Sequence, residues 1–153
     1  MQGPTLVIVR STTGHTFGGH AVAPWTSADA YTTTAGCFLF LVENPHNDAP
    51  TCFECTDTQH STYCCSSYGP TFGGGSDLGI HGGSDTGTSY TTFPSHYTDT
   101  LGRGHATFTG ATDFTPEDYE VWGVTVGAPA AAAMPAAKAP EPEPEEVGFA
   151  LFD

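Results

Sequence analysis

The 153-residue chain carries 17 acidic side chains against three Lys and Arg side chains, which gives a formal net charge of -14 at pH 7. Because phosphate-bearing surfaces repel so acidic a protein, nucleic acids and anionic membranes are excluded as expected partners. The length suits one domain with a real core, and 12% aromatic residues give that core bulk.

Short β-prone segments separated by turn residues follow one another along most of the chain. Thr and Tyr, which favour strands, are abundant in them, and helix signals are nearly absent. The pattern predicts strands at 5–10, 15–23, 36–42, 50–54, 61–66, 77–81, 88–92, 105–110 and 118–124. The predicted fold class is therefore all-β, a sandwich or barrel.

The most apolar stretch of the chain is residues 36–42, Gly-Cys-Phe-Leu-Phe-Leu-Val. Because its apolar residues are continuous rather than alternating, it is expected to form a central strand that is covered on both faces. Cys37 is then a small core residue. Phe38→Ala is expected to lower the free energy of unfolding by about 3–5 kcal/mol, as the loss of a buried aromatic ring does.

A glycine-rich loop follows the predicted strand at 61–66. Gly69-Pro70 and the three glycines at 73–75 cannot hold regular structure, so a backbone-defined loop is expected before the next strand near 77–81. A phosphate-binding loop would need a Lys and a Ser or Thr after its last glycine, or a helix that starts there. Neither is present, so a nucleotide site is not expected.

The segment Ser-Ser-Tyr-Gly-Pro-Thr-Phe-Gly-Gly-Gly at 66–75 resembles a signature of the TLDc domain in its protist form. Further segments resemble the same family and lie in its order: Gly3 to Val9, Gly14 to Gly19 with Pro24-Trp25, Cys37 to Leu41, Asn44-Pro45-His46, Ser89-Tyr90 and Tyr119 to Trp122. The resemblance covers residues 3–124 and implies a sandwich of two antiparallel sheets flanked by a few helices. The family normally has a partly helical segment before the first strand, so the domain at 1–124 is expected to be N-terminally short.

The resemblance also implies a function. It predicts a non-enzymatic interaction module with a role in oxidation resistance, whose partners are subunits of the vacuolar proton-pumping ATPase. No catalytic residue and no cofactor are expected. Because the sequence shows neither a signal peptide nor an apolar stretch long enough to span a bilayer, a cytoplasmic protein without membrane insertion is expected.

The five cysteines are expected to be free thiols, because their number is odd and no secretory signal precedes them. In a strand, Cys64 and Cys65 must point to opposite faces, so at most one of them is fully buried if the strand has a solvent face. A thiol-based peroxide scavenger that uses Cys64 or Cys65 is an alternative function. The acidic surroundings should raise a thiol pKa, however, so no peroxidase activity is expected.

An alternative metal site is a zinc knuckle formed by Cys52, Cys55, His60 and Cys65, whose spacing is C-x2-C-x4-H-x4-C. Knuckles usually carry a glycine before the His and basic residues nearby, and both are missing here. The sandwich would also separate these ligands onto different strands, so ordinary strand and loop residues are favoured. Asp77 and Asp85 could hold calcium, but the spacing of a calcium loop is missing, and most of the seven histidines are expected in exposed loops.

The composition changes abruptly after Val124. Residues 125–146 are rich in Ala, Pro and Glu and are expected to form a disordered linker, and residues 147–153 form a hydrophobic C-terminal peptide. This end resembles the tail of the acidic ribosomal stalk P-proteins, which recruit translational GTPases. By that resemblance Phe149, Leu151 and Phe152 would fill an apolar groove, and Glu145 and Glu146 would face a basic rim. A ribosome-associated adaptor is thus a second alternative function, and a gene fusion without a selected role is the other interpretation of the tail.

Overall fold

The computed structural model describes residues 3–81 and 88–125, and eleven strands and two short 3-10 helices lie within them. The strands are β1 (Thr5–Ser11), β2 (Thr16–Ala21), β3 (Ala30–Thr32), β4 (Phe38–Glu43), β5 (Thr51–Glu54), β6 (Thr62–Cys64), β7 (Thr71–Phe72), β8 (Leu78–Gly79), β9 (Ser89–Tyr90), β10 (Asp113–Phe114) and β11 (Pro116–Gly123). The 3-10 helices are Thr58–His60 and Gly104–Ala106. In this part of the chain no helix has the length and apolar character needed to cross a bilayer.

The strands form two antiparallel sheets, which confirms the predicted sandwich. The five-stranded sheet has the order β11-β1-β2-β4-β5, and the six-stranded sheet has the order β10-β9-β8-β7-β6-β3. β1 pairs with β11 from Thr5 opposite Gly123 to Ser11 opposite Pro116, so the first and last strands of the domain are hydrogen-bonded neighbours. β11 is therefore an edge strand of the five-stranded sheet, next to β1.

The core is built from alternating residues of both sheets. On β1, Val7 and Val9 are fully buried whereas the residues between them are partly exposed, as expected for a strand with one face toward the core. Phenylalanine rings occupy its centre: Phe17 lies 5.1 Å from Phe108, and Phe53 lies 4.9 Å from Phe93, measured between ring centroids. Edge and tilted contacts of this kind stabilise a core beyond the area that they bury.

The prediction that the strand at 36–42 is covered on both faces is wrong. On β4, Leu39 and Leu41 are fully buried, but Phe38 and Phe40 are only half-buried and Val42 is 43% exposed. The reason is that nothing among the described residues buries the outer face of the five-stranded sheet in full. Phe38 instead stacks on the imidazole of His20 at 5.0 Å on that face. Cys37 is buried, as predicted.

The prediction of a strand at 105–110 is also wrong, because a turn occupies that part of the chain. The carboxylate of Asp99 accepts hydrogen bonds from the backbone N–H groups of Leu101, Gly102 and Gly104. These bonds hold a turn that leads into the 3-10 helix Gly104–Ala106, and Phe108 follows it into the core with no exposed surface. Local bonding to an Asp side chain thus overrides the strand preference of Thr and Phe. The short strands β3, β7 and β10 were not predicted.

Candidate functional site

The glycine-rich loop contains a short core strand. Within the loop predicted at 69–75, Thr71 and Phe72 form β7 and pair with β6 on one side and β8 on the other. The ring of Phe72 is fully buried, and it lies so close to Gly19 that a Cβ there would come within 2.6 Å of it. Gly19 therefore allows the two sheets to approach each other, and the loop belongs to the sandwich core.

A buried carboxylate anchors the turn that follows. Gly73 has a positive φ of 85°, which favours glycine, and a Cβ at this position would overlap Asp77 Oδ1. Asp77 has no exposed surface, and its carboxylate accepts backbone N–H groups of Ser95 at 2.7 Å, His96 at 2.9 Å and Tyr97 at 3.2 Å. The Gly-rich turn, defined here as residues 73–77, is therefore fastened to the segment 95–97.

These bonds bear on the calcium interpretation of Asp77. Its carboxylate already accepts hydrogen bonds from three backbone N–H groups, so its oxygens are used within the fold and do not face solvent, where an ion would bind. Asp85, the other residue of that interpretation, lies outside the described residues. Burial raises the pKa of the Asp77 carboxyl group, and this effect exceeds the lowering by the N–H groups and by the neighbouring His96.

Asp57, His60 and His96 meet beside the Gly-rich turn and are called the imidazole–carboxylate cluster below. Asp57 Oδ1 caps the 3-10 helix Thr58–His60 by accepting the N–H of Gln59 at 3.1 Å. Asp57 Oδ2 lies 2.8 Å from His60 Nδ1 and 3.6 Å from His96 Nε2. The hydrogen bond from His60 is the main reason that the pKa of Asp57 is below its ordinary value.

The cluster leaves no room for a side chain on its neighbour Gly74. The N–H of Gly74 donates to His96 Nδ1 at 3.1 Å, and a Cβ on this glycine would lie 2.8 Å from His96 Cε1 and 3.1 Å from the Cβ of His60. The middle glycine of the triple-glycine motif is therefore needed for close approach to the ring of His96 and to the Cβ of His60. From the sequence, most of the seven histidines were expected in exposed loops, and this contact was not predicted.

The structure does not bring the predicted zinc-knuckle residues together. Cys52 is exposed on β5 in one sheet, whereas Cys65 follows β6 in the other sheet. Among the described residues, the His, Cys, Asp and Glu side chains whose ligand atoms all lie within 4.8 Å of one another are those of Asp57, His60 and His96. His60 thus has a carboxylate and a second imidazole as neighbours instead of Cys52, Cys55 and Cys65.

The five cysteines are free thiols, as predicted. Cys64 on β6 is only 2% exposed, and its neighbour Cys65 is half-buried, which confirms that at most one of the pair is fully buried. The two arginines in the described residues are engaged elsewhere, Arg10 near Glu43 and Arg103 with Asp48. Neither guanidinium therefore has a role in stabilising a thiolate at these cysteines.

We expect the purified protein to consume hydrogen peroxide no faster than a Cys64→Ser, Cys65→Ser double variant does. The buried thiol of Cys64 is shielded from peroxide, and neither arginine of residues 3–81 and 88–125 is paired with Cys65 to favour its thiolate. Stopped-flow measurement of peroxide consumption with the reduced protein tests this expectation, and Cys52→Ser, at an exposed cysteine on β5, is the matched control. Rapid consumption by the wild type that disappears in the double variant would establish a scavenger.

Aromatic rings that are exposed or half-buried form a line along the outward-facing side of the six-stranded sheet. Its members are called the tyrosine stripe: Tyr31, Tyr63, Tyr68, His81 and Tyr90. Successive ring centroids are 4.9, 6.2, 4.8 and 4.9 Å apart, and the ring of Tyr68 stacks on that of His81 with an angle of 9° between the planes. Tyr31 also contacts His60 at 4.8 Å, so the stripe adjoins the imidazole–carboxylate cluster.

Side-chain hydrogen bonds hold several of these rings in place. The hydroxyl of Tyr63 donates to Asp29 Oδ1 at 2.6 Å, and this bond raises the pKa of Tyr63 to about 12 and lowers that of Asp29. The hydroxyl of Tyr31 donates to the carbonyl of Gly74 at 2.9 Å. Burial lowers the pKa of His81. The hydroxyl bonds of Tyr31 and Tyr63 therefore fix the orientation of these two rings in the stripe.

The tyrosine stripe was not predicted from the sequence. Its members come from β3, β6, β9 and two loops, so no local spacing relates them. The feature that could have indicated part of the stripe is the alternation on β6. Tyr63 lies there between the buried residues Thr62 and Cys64 and must therefore face outward. The predicted protein-binding residues Glu145, Glu146, Phe149, Leu151 and Phe152 lie outside the described residues.

Comparisons with known proteins agree with the sequence signature. The family model of the TLDc domain matches residues 1–125, which include both sheets, the Gly-rich turn and the tyrosine stripe. A comparison with curated proteins found no match.

Proposed function

The chain belongs to the TLDc domain family, and from that membership we propose that it is a non-enzymatic, cytoplasmic interaction module that binds subunits of the vacuolar proton-pumping ATPase. The family is linked to oxidation resistance, and this chain carries that link as a family member. Attachment to a proton pump is a physical contact rather than a chemical reaction. It requires an ordered surface and no catalytic residue.

The observation that supports binding is the tyrosine stripe. Tyr31 is 44% and Tyr68 is 47% exposed, although large aromatic rings are usually hidden from water. Tyrosine is enriched at protein interfaces because it buries a large area and loses little conformational entropy there. The hydroxyl bond of Tyr31 holds its ring before any partner arrives. A pre-ordered surface of this kind lowers the entropy cost of association.

We expect Tyr68→Ala to weaken capture of the pump. Tyr68 lies near the middle of the stripe, and loss of a central aromatic anchor typically costs about 2 kcal/mol of binding, or roughly thirtyfold in affinity. The measurement is a pull-down from lysate with the full chain as bait, followed by immunoblots for pump subunits. Trp122→Ala is the matched control, because Trp122 is 57% exposed but lies on β11 of the other sheet.

The three possible results of this pull-down lead to different conclusions. Recovery of pump subunits with the wild type and with Trp122→Ala, but not with Tyr68→Ala, supports the stripe as the pump-binding surface. Equal recovery with both variants would move the contact to another surface. A wild-type bait that recovers no pump subunit would overturn the proposed function itself.

The second candidate function is a ribosome-associated adaptor that recruits translational GTPases, and the sequence of residues 147–153 favours it. Phe149, Leu151 and Phe152 are large hydrophobic residues close to a chain end, directly after an acidic stretch. Hydrophobic anchors on an arm suit capture in an apolar groove, and the nearby Glu145 and Glu146 suit a basic rim. In this proposal the arm, rather than the sandwich, carries the binding site.

We expect Phe152→Ala to reduce the affinity of the tail for an elongation-factor GTPase by about 2 kcal/mol or more. Glu145→Gln is expected mainly to slow association, because charge steers the encounter whereas buried aromatic anchors control dissociation. Titration of a labelled peptide of residues 141–153 into the GTPase measures both effects. Binding that is absent, or that Phe152→Ala leaves unchanged, would remove this second function.

A further inference from the structure

Three side chains of metal-ligating types meet at the edge of the Gly-rich turn. A carboxylate oxygen of Asp57 and one ring nitrogen each of His60 and His96 all lie within 4.8 Å of one another. All three residues are half-buried, so an ion can reach them from solvent. From this geometry we propose that the imidazole–carboxylate cluster binds a divalent transition-metal ion of the zinc class. The site is separate from the proposed pump-binding function and does not depend on it.

The donor set and its spacing match zinc. Two imidazoles and one carboxylate are a common protein ligand set for this ion, and the fourth position is then left to water. Bonds of about 2.0 Å in a tetrahedral site place neighbouring ligand atoms about 3.3 Å apart. Asp57 Oδ2 lies 2.8 Å from His60 Nδ1 and 3.6 Å from His96 Nε2, values on either side of that spacing. Small side-chain movements therefore complete the site.

The fold holds the ligands in place before an ion arrives. The N–H of Gln59 bonds Asp57 Oδ1 and thereby leaves Oδ2 directed to the two histidines. The backbone N–H of His96 donates to the buried carboxylate of Asp77, which fixes this part of the chain. Gly74 lacks the Cβ that would overlap the ring of His96 and crowd the Cβ of His60. Pre-positioned ligands of this kind bind metal at a lower conformational cost.

Metal binding requires a proton rearrangement on both histidines. On His60 the proton that Nδ1 donates to Asp57 must move to Nε2, so that the Nδ1 lone pair can bind the ion. His96 needs a similar exchange between its two ring nitrogens. The Gly74 N–H donates to Nδ1, so the neutral ring carries its proton on Nε2, where it faces Asp57. An ion at Nε2 needs that lone pair, and the proton must then lie on Nδ1. There Asp77 Oδ1, at 3.4 Å, is the acceptor, and the arrangement becomes a carboxylate–histidine–metal triad. The bond from the Gly74 amide to this ring is lost in exchange.

Isothermal titration of zinc into the reduced full chain tests the proposal. The expected result is one ion per chain, with an affinity that falls at least about tenfold in His96→Gln and in Asp57→Asn. Asp57→Asn keeps an oxygen that can accept the Gln59 N–H, so it tests the site with the 3-10 helix cap intact. His105→Gln is the matched control, because His105 is exposed and lies outside the cluster, and it should bind zinc like the wild type.

Two spectroscopic measurements distinguish this site from binding by cysteines. Cobalt(II) bound at the cluster should show no sulfur-to-metal charge-transfer absorption, because its ligands are nitrogen and oxygen. Zinc should also shift the Gly74 amide resonance and speed its hydrogen exchange, since that N–H loses its acceptor. A charge-transfer band, an unchanged Gly74 signal, or full affinity in both His96→Gln and Asp57→Asn would each overturn the proposal.

Discussion

Replacement of Phe53 by alanine is expected to lower the free energy of unfolding by about 3–5 kcal/mol. Phe53 lies on β5 with no exposed surface, and its ring centroid is 4.9 Å from that of Phe93 and 6.1 Å from that of Phe108. These neighbours come from separate loop segments: the N–H of Phe93 is bonded to Thr91 just before the segment that Asp77 holds, and Phe108 follows the Asp99 turn. They can fill the vacated space only in part, and the remaining cavity adds to the lost transfer free energy. Equilibrium unfolding in urea measures the change.

Phe38→Ala is the matched control for this prediction. Phe38 is also a phenylalanine on a strand of the five-stranded sheet, but it is half-buried and stacks on His20 outside the core. Because Phe38 is only partly buried, the variant loses only part of the transfer free energy of the side chain. The free energy of unfolding is therefore expected to fall by less than about 1.5 kcal/mol. This value replaces the larger loss expected for Phe38 from the apolar sequence. Equal losses for the two variants would contradict the observed orientation of β4.

Gly73→Ala is expected to lower the free energy of unfolding by more than about 3 kcal/mol. A non-glycine residue at the positive φ of this position costs roughly 1–2 kcal/mol. In addition, the new Cβ would overlap Asp77 Oδ1, so the buried carboxylate must move. The N–H groups of Ser95 and His96 then lose good acceptors, and a buried polar group left unpaired costs about 1–3 kcal/mol.

Gly14→Ala separates the effect of the overlap with Asp77 from the effect of backbone strain at a positive φ. Gly14 has nearly the same φ as Gly73, 86° against 85°, but a Cβ at Gly14 would have no atom within 4 Å of it beyond the adjoining residues. Its expected loss is therefore the strain alone, roughly 1–2 kcal/mol. The same urea unfolding experiment gives both values. If the two variants lose equal stability, the approach of Gly73 to Asp77 contributes nothing to the fold.

Strand positions were predictable where residues close in sequence determine them. β1 was predicted because the residues from Leu6 to Val9 are a short run of apolar, mostly β-branched side chains, which suit an extended chain whatever lies elsewhere in the sequence. The turn after β7 was predicted because consecutive glycines permit backbone angles that other residues avoid. The segment 105–110 was mispredicted because Asp99 holds the turn just before it, and local backbone bonds such as those from Thr107 N–H to Gly104 and from Gly110 N–H to Ala106 continue that turn.

The degree of burial was less predictable than the strands themselves. Phe38 and Leu39 are adjacent, and both are apolar, yet only Leu39 is fully buried. Sequence periodicity shows which residues share a face of a strand. It does not show whether a second layer covers that face, because the covering residues come from distant parts of the chain.

The sequence by itself determined the all-β class, most of the strands, the glycine-rich loop and the family, because each of these depends on short segments and their order. Only the tertiary structure decided that His60 and His96 share Asp57 and that Tyr31, Tyr63 and Tyr68 form one surface. These groups are brought together by strand pairing and by the Gly-rich turn. Contacts between residues far apart in the chain depend on how sheets and turns pack in space, and a pattern read along one segment carries no information about them.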